Sequence, residues 1–143
     1  MRDLSRPYRL AIYAVLNGVI SVPVYDEKKK VASTETTFVI LSTQQQTPVE
    51  ENDCTWISRC SIDIEVIQKT GFEVTKDDID DISNQICGIL LPSQGITPIE
   101  SPNLQFTLPE IESIISRNVS ITEPETVIVK ILRFVCTIIQ QTS

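Results

Sequence analysis

Between Cys54 and Ile67 the chain alternates apolar and polar positions nearly without fault. Cys54, Trp56, Cys60, Ile62, Ile64 and Val66 fall on one side, and Thr55, Arg59, Ser61, Asp63 and Glu65 on the other. Strand side chains alternate between faces, so this segment reads as one long, half-buried strand. Phe38 to Thr43, rich in β-formers, predicts a second strand that returns antiparallel to it. The polar stretch Gln44 to Asp53 between them, with Pro48 inside, reads as a connection that projects as a tip. Towards the C-terminus, Ile111, Ser113, Ile115, Arg117, Val119 and Ile121 alternate with polar residues, and Ile114 breaks the alternation. The last strand runs from Val127 to Ile139. Val127, Val129, Ile131, Val135 and Ile139 face one way, and Ile128, Leu132, Phe134 and Ile138 the other. Apolar residues on both faces predict cover on both sides. Helices can supply one cover; the other is either a neighbouring subunit or a central place within a single copy.

Two segments carry the other period. Leu4, Tyr8, Ala11, Ile12, Val15, Leu16 and Val19 recur at threes and fours, predicting a helix from about Leu4 to Leu16. Pro7 fits only its first turn, and Asn17-Gly18 suits a helix end. A short extended piece, Val22 to Tyr25, follows. The second helix opens near Thr75, whose spacing to Asp78 matches a capping box, and closes before Pro92. Asp77, Asp78, Asp80 and Asp81 crowd its positive end, while Ile79, Ile82, Ile86 and Ile89 or Leu90 form its buried stripe. Between Pro92 and Pro109 only Leu104 to Leu108 has strand character. The elements add up to an α+β domain: an antiparallel sheet of four main strands with two helices packed on one face. Residues 1–143 form one domain in this reading, with flexible loops about 26–36, 44–53 and 92–109.

Composition narrows the function more by exclusion than by signal. The chain has 143 residues, 41% of them hydrophobic, enough for an ordinary core. Its net charge of −7 argues against a general nucleic-acid binder; it suits a protein that lies near DNA and lets it pass, but most acidic proteins are merely soluble. Histidine is absent, which removes Ser–His–Asp and Cys–His nucleophiles and the commonest zinc ligand. The four cysteines, Cys54, Cys60, Cys87 and Cys136, include no Cys-x-x-Cys pair. Cys54 and Cys60 lie about 20 Å apart on an extended strand, beyond disulfide reach. All four read as reduced core residues of a cytosolic or assembled particle. Arg2, Arg6 and Arg9 before Leu10 to Leu16 imitate a secretory leader only loosely, and no run reaches the roughly 20 apolar residues that cross a bilayer. Asn118-Val119-Ser120 fits a glycosylation sequon but lies inside a predicted strand.

Each candidate chemistry meets a structural explanation. Asp77 to Asp81 lacks the calcium-loop pattern and belongs to a helix start. Asp63 and Glu65, about 7 Å apart, follow from strand alternation. Gly18, Gly71, Gly88 and Gly95 are isolated, so no phosphate loop exists. Trp56 reads as core or as an interface anchor. Lys28-Lys29-Lys30, the one basic run, is either a solvated loop or a contact for an acidic partner or DNA. No catalytic residue, metal site or cofactor is expected.

In order, the segments "LAIYAVLNGVISVPVYDE", "TTFVILSTQ…CTWISRCSIDIEVIQKTG", "VTKDDIDDISNQICGIL" and "TVIVKILRFVCTII" resemble the tailed-bacteriophage tail-completion and tail-terminator family, the head–tail joining proteins. Val22 to Asp26 matches the family's strand after the opening helix. The resemblance covers most of the chain as a pattern of elements, and residues 92–109 are longer than it would have. It implies a non-enzymatic virion protein of the tail or neck, assembled in the host cytoplasm. Its subunits would form a homo-oligomeric ring, commonly of six copies, around a channel for DNA, docked to neighbouring connector or tail proteins. The partner-contact candidates carried over are Lys28, Lys29 and Lys30 with Gln44, Gln45, Gln46, Glu50 and Glu51. The alternative from a different class is a cellular regulatory domain that binds a small ligand or peptide on a similar sheet.

Overall fold

The computed structural model describes residues 3–26, 36–51, 55–70, 76–92, 95–122 and 125–141. Helix α1 (Ser5–Leu16) is followed by strands β1 (Val24–Tyr25), β2 (Thr37–Glu51) and β3 (Thr55–Thr70). Helix α2 (Lys76–Leu90) then leads to β4 (Leu104–Phe106), β5 (Glu110–Thr122) and β6 (Glu125–Gln141). The sheet order is β1-β2-β3-β6, with β4 and β5 both on the far side of β6. The four expected long strands are present and antiparallel to their neighbours, and two short strands join them. β1 is parallel to β2, and β4 pairs with Leu104 opposite Gln140 near the end of β6.

Alternation explains which face is filled. Cys60, Ile62, Ile64 and Val66 of β3 and Ile128, Leu132, Phe134, Cys136 and Ile138 of β6 join one buried cluster with both helices. Tyr8, Ile12 and Leu16 of α1 and Ile79, Ile82, Ile86 and Leu90 of α2 are the stripes that meet it. Ile89 is only half-buried, so Leu90 completes the α2 stripe. Each fully buried aliphatic side chain contributes about 1.5–3 kcal/mol against exposure. Lys130 on β6 reaches Asp80 of α2 at 2.7 Å, and Gln68 Nε2 donates to Asp78 at 3.5 Å, which fixes α2 along the sheet.

Helix ends follow the sequence with one refinement. Pro7 sits in the first turn of α1, and Asn17 donates its N–H to the Tyr13 carbonyl at 2.8 Å. Asn17 itself is extended; Gly18, at φ +80°, takes the left-handed turn that a side chain would strain. Thr75 lies outside the described residues, as do Cys54, Gly71 and the triplet Lys28–Lys30.

Two expectations change and one open choice narrows. The stretch from Gln44 to Glu51 is not a connection but the outer half of β2, paired from Gln44 opposite Ile62 to Glu51 opposite Trp56. Polar residues on both sides hid it, and bulges between Leu41 and Gln44 and between Pro48 and Glu50 admit the proline. In β5, a bulge between Ile111 and Ser113 splits the predicted face. Ile111 lies opposite Phe134 on the helix-bearing side, whereas Ile115 lies opposite Ile131 on the other. Finally, most of the odd-numbered face of β6 is covered within one copy, with Ile131 and Ile139 half-buried. Val127, Val129 and Val135 are buried, the first two with Phe38, Ile40 and Ile67 in a second cluster on the curled sheet. A central place within a single copy accounts for the three buried valines.

Ile64→Ala should lower the unfolding free energy by about 2–5 kcal/mol, read as an earlier urea midpoint at unchanged slope. A loss under about 1 kcal/mol would show that this position is not the packed centre described.

Candidate functional site

Backbone edges, not a cleft, are the surfaces that stand out. β5 pairs only with β6, so the other side of its 13 residues carries no strand among the described residues. Ile114 and Ile115 sit on this edge, each 52% exposed. Ile114 lies opposite Leu132 and Ile115 opposite Ile131, so they flank the edge on opposite faces. Arg117 and Glu112 beside them are exposed as well. The isoleucine that broke the alternation was the signal in the sequence, although it showed only an irregularity and not an edge.

The opposite edge belongs to β2. β1 covers only Val39 and Ile40 of it, leaving its outer half without a strand neighbour on that side among the described residues. Here the candidate glutamines separate. The bulge after Leu41 turns Gln44 and Gln46 towards the helix-bearing face, under the start of α1. Gln46 Oε1 accepts the Leu4 N–H at 2.8 Å, while its Nε2 donates to Ser58 Oγ at 3.2 Å. Gln44 Nε2 donates to the Ser5 carbonyl at 2.8 Å, and its Oε1 accepts from Arg9 at 3.1 Å. A helix start has unsatisfied N–H groups, and the Leu4 cap lacks a side-chain acceptor of its own. These two amides therefore hold α1 to β2. Gln45, with Thr43 and Thr47, is exposed. Glu50 and Glu51 close β2 as backbone; Lys28, Lys29 and Lys30 lie outside the described residues.

Several titratable groups are committed to structure. Asp63 and Arg133 stand directly opposite on the face away from the helices and form a two-pronged pair, at 2.7 and 3.1 Å. The Asp63 carboxylate raises the Arg133 pKa above its usual value. Cys60 and Cys136 are cross-strand neighbours in the core. Burial pushes the Cys60 thiol up to about 12 and the Cys136 thiol up to about 11. Cys136 Sγ donates to the Thr107 carbonyl at 3.0 Å. Asp78, Asp80 and Asp81 are exposed on α2, and no group of three or more metal-ligating side chains gathers among the described residues. Trp56 is half-buried. An open-sided groove of about 410 Å³ runs beside α1, lined by Pro7, Leu10, Ala14 and Pro102 with Arg6 and Glu100 at its margins.

No protein-family profile and no curated protein matches the chain in sequence. In structure the chain is similar to one from the "Virion of native gene transfer agent (GTA) particle", with a TM-score of 0.59 and 12% sequence identity. That likeness covers 88% of this chain and 84% of the other, so the two share their fold over nearly their whole lengths.

Gln46→Ala should cost about 1–3 kcal/mol by leaving the Leu4 N–H without this acceptor, while Gln45→Ala should stay within about 0.5 kcal/mol. Equal effects in thermal unfolding would contradict the separation of the two glutamines. In the native protein at pH 8, Cys60 and Cys136 should alkylate at least about a hundredfold more slowly than after unfolding, since the thiolate is the reactive form. Mass spectrometry of timed samples gives the rates; fast native labelling would show that these thiols are not enclosed.

Proposed function

We propose that this chain is a structural subunit of a phage-like virion, and more narrowly a self-associating ring component of the tail-terminator or head–tail connector kind. The observation that carries it is the shared fold with a chain of a gene transfer agent virion, matched over most of both chains. Two sheet edges on opposite sides, without a strand neighbour among the described residues, add support, because a closed ring requires each copy to present two different, complementary surfaces. Apolar side chains exposed on one of those edges favour association further.

In this role the work is mechanical rather than catalytic. Six copies, the number usual for the resembled family, would surround a channel through which DNA passes without its sequence being read. The net charge of −7 favours passage over retention, since few basic groups compete for phosphate. Neighbouring connector or tail proteins would meet the ring at Lys28, Lys29 and Lys30 and at the β2 end carrying Glu50 and Glu51, whereas Gln45 lies within the β2 edge available to another copy of the chain. Gln44 and Gln46 are better explained as the tether of α1. Of the competing class, a regulatory domain for a small ligand or a peptide, the small-ligand form would call for an enclosed pocket, whereas the groove beside α1 is open-sided.

Native mass spectrometry followed by negative-stain imaging should show multi-copy closed particles with a central hole. A monomer of 16.0 kDa at high concentration would remove the ring proposal. Replacing Lys28, Lys29 and Lys30 together with Glu should weaken docking of the particle onto its neighbours while circular dichroism stays unchanged. Undiminished assembly of complete tails would take that segment out of the contact set.

A further inference from the structure

We infer that copies of this chain join edge to edge, β5 of one copy adding as an antiparallel strand to the outer half of β2 in the next. The inference rests on the self-association proposed above and specifies its contact. Along the sheet, β2, β3, β6 and β5 each run opposite to the strand before. Four alternating strands end on the polarity opposite to the first, so β5 runs against β2. A rotation that keeps strand sense between copies therefore brings β5 antiparallel to the next β2, and the alternation continues unbroken around a ring.

The edges also match in extent and chemistry. β5 offers 13 residues, and β2 offers its length beyond Ile40, where β1 ends its cover. A strand edge presents backbone donors and acceptors in a row, and the partner that satisfies such a row is another strand. Natural edges are commonly protected by lysine, proline, bulges or very short strands; Pro48 and the bulges of β2, with the bulge of β5 at Ile111 to Ser113, leave Gln44 to Thr47 and Ser113 to Arg117 as the regular stretches that meet. Between Glu110 and Arg117 of β5 there is no lysine, nor is there one between Leu41 and Glu51 of β2. In the joined sheet Ile115 comes to lie with the exposed Gln45 and Thr47, on the face away from the helices. Ile114, on the helix-bearing face, comes to lie beside the next copy's α1. Both isoleucines, half-exposed in a single copy, are covered.

Two edge variants test this directly. The first carries Ile114→Lys with Ile115→Lys; the second carries Gln45→Lys with Thr47→Lys. All four side chains are exposed, so circular dichroism and the urea midpoint should stay near those of the parent chain. A softer pair, Ile114→Thr with Ile115→Thr, repeats the first test while keeping strand preference. Each variant alone should fall from the parent assembly to a single chain of 16.0 kDa by native mass. Mixed in equal amounts, the two lysine variants should give a dimer and nothing larger, because one intact β5 edge and one intact β2 edge remain to meet. If the β2 variant still assembles alone, as pairing of β5 with β5 about a two-fold axis would allow, the inference is overturned and self-association stands. If the mixture stays monomeric while the parent assembles, the edge pairing is likewise wrong. A parent chain that never assembles overturns both.

Discussion

Everything in this molecule is referred to the ladder between β3 and β6. Each residue of β3, from Thr55 opposite Gln141 to Thr70 opposite Thr126, has a partner in β6 with no bulge along the way. Because side-chain direction repeats every two residues, an unbroken ladder locks both strands into the same choice of face over their whole length. Ile62, Ile64, Leu132, Phe134 and Ile138 are therefore all delivered to the helix side. A one-residue slip of either strand would bring its charged member, Asp63 or Arg133, to that side instead. Their mutual pairing on the opposite face disfavours the slip, since a charge placed in the apolar layer without its partner is costly.

The two helices are consequences of that layer rather than independent units. Neither α1, with 12 residues, nor α2, with 15, is long enough to be stable by itself in water, so packing decides them. The attachments differ in kind. α2 is held by its isoleucine stripe and by polar contacts from Asp80 and Asp78 to the sheet. α1 depends on a different device, two glutamine amides that reach its first turn from β2. Polar side chains on a strand thus complete a helix cap from a distance of about forty residues in sequence.

Much of this was visible in the amino-acid sequence because it depends on periodicity. Cys60 to Val66 and Val127 to Ile139 show their faces through alternation, and Ile79, Ile82 and Ile86 show theirs through helical spacing. The outer half of β2 was not visible, since Gln44 to Glu51 has no apolar face and contains a proline. Its strand character comes from β3 beside it and from α1 above it, both distant in sequence. The bulge in β5 was hidden for a related reason: Ile111 and Ile115 share a parity, and only the register against Phe134 and Ile131 separates them. Edges were the least legible feature of all. Whether a strand is central or terminal depends on sheet order, and Ile114 and Ile115 look like core residues until the sheet is seen to hold no strand beyond β5 among the described residues.

The irregularity between Leu41 and Gln44 has an effect on how this strand can change over time. It resets the parity of β2, so that apolar Val39 and Leu41 and the amides Gln44 and Gln46 share one side despite an odd offset between the sets. Ordinary replacements at Ser42 or Thr43 preserve that offset. Loss of a single codon there would straighten the strand yet, by making the offset even, keep both amides on the side of the first helix; a strand straightened at unchanged length would swing them away. What heredity must conserve at this point is the match between residue count and kink.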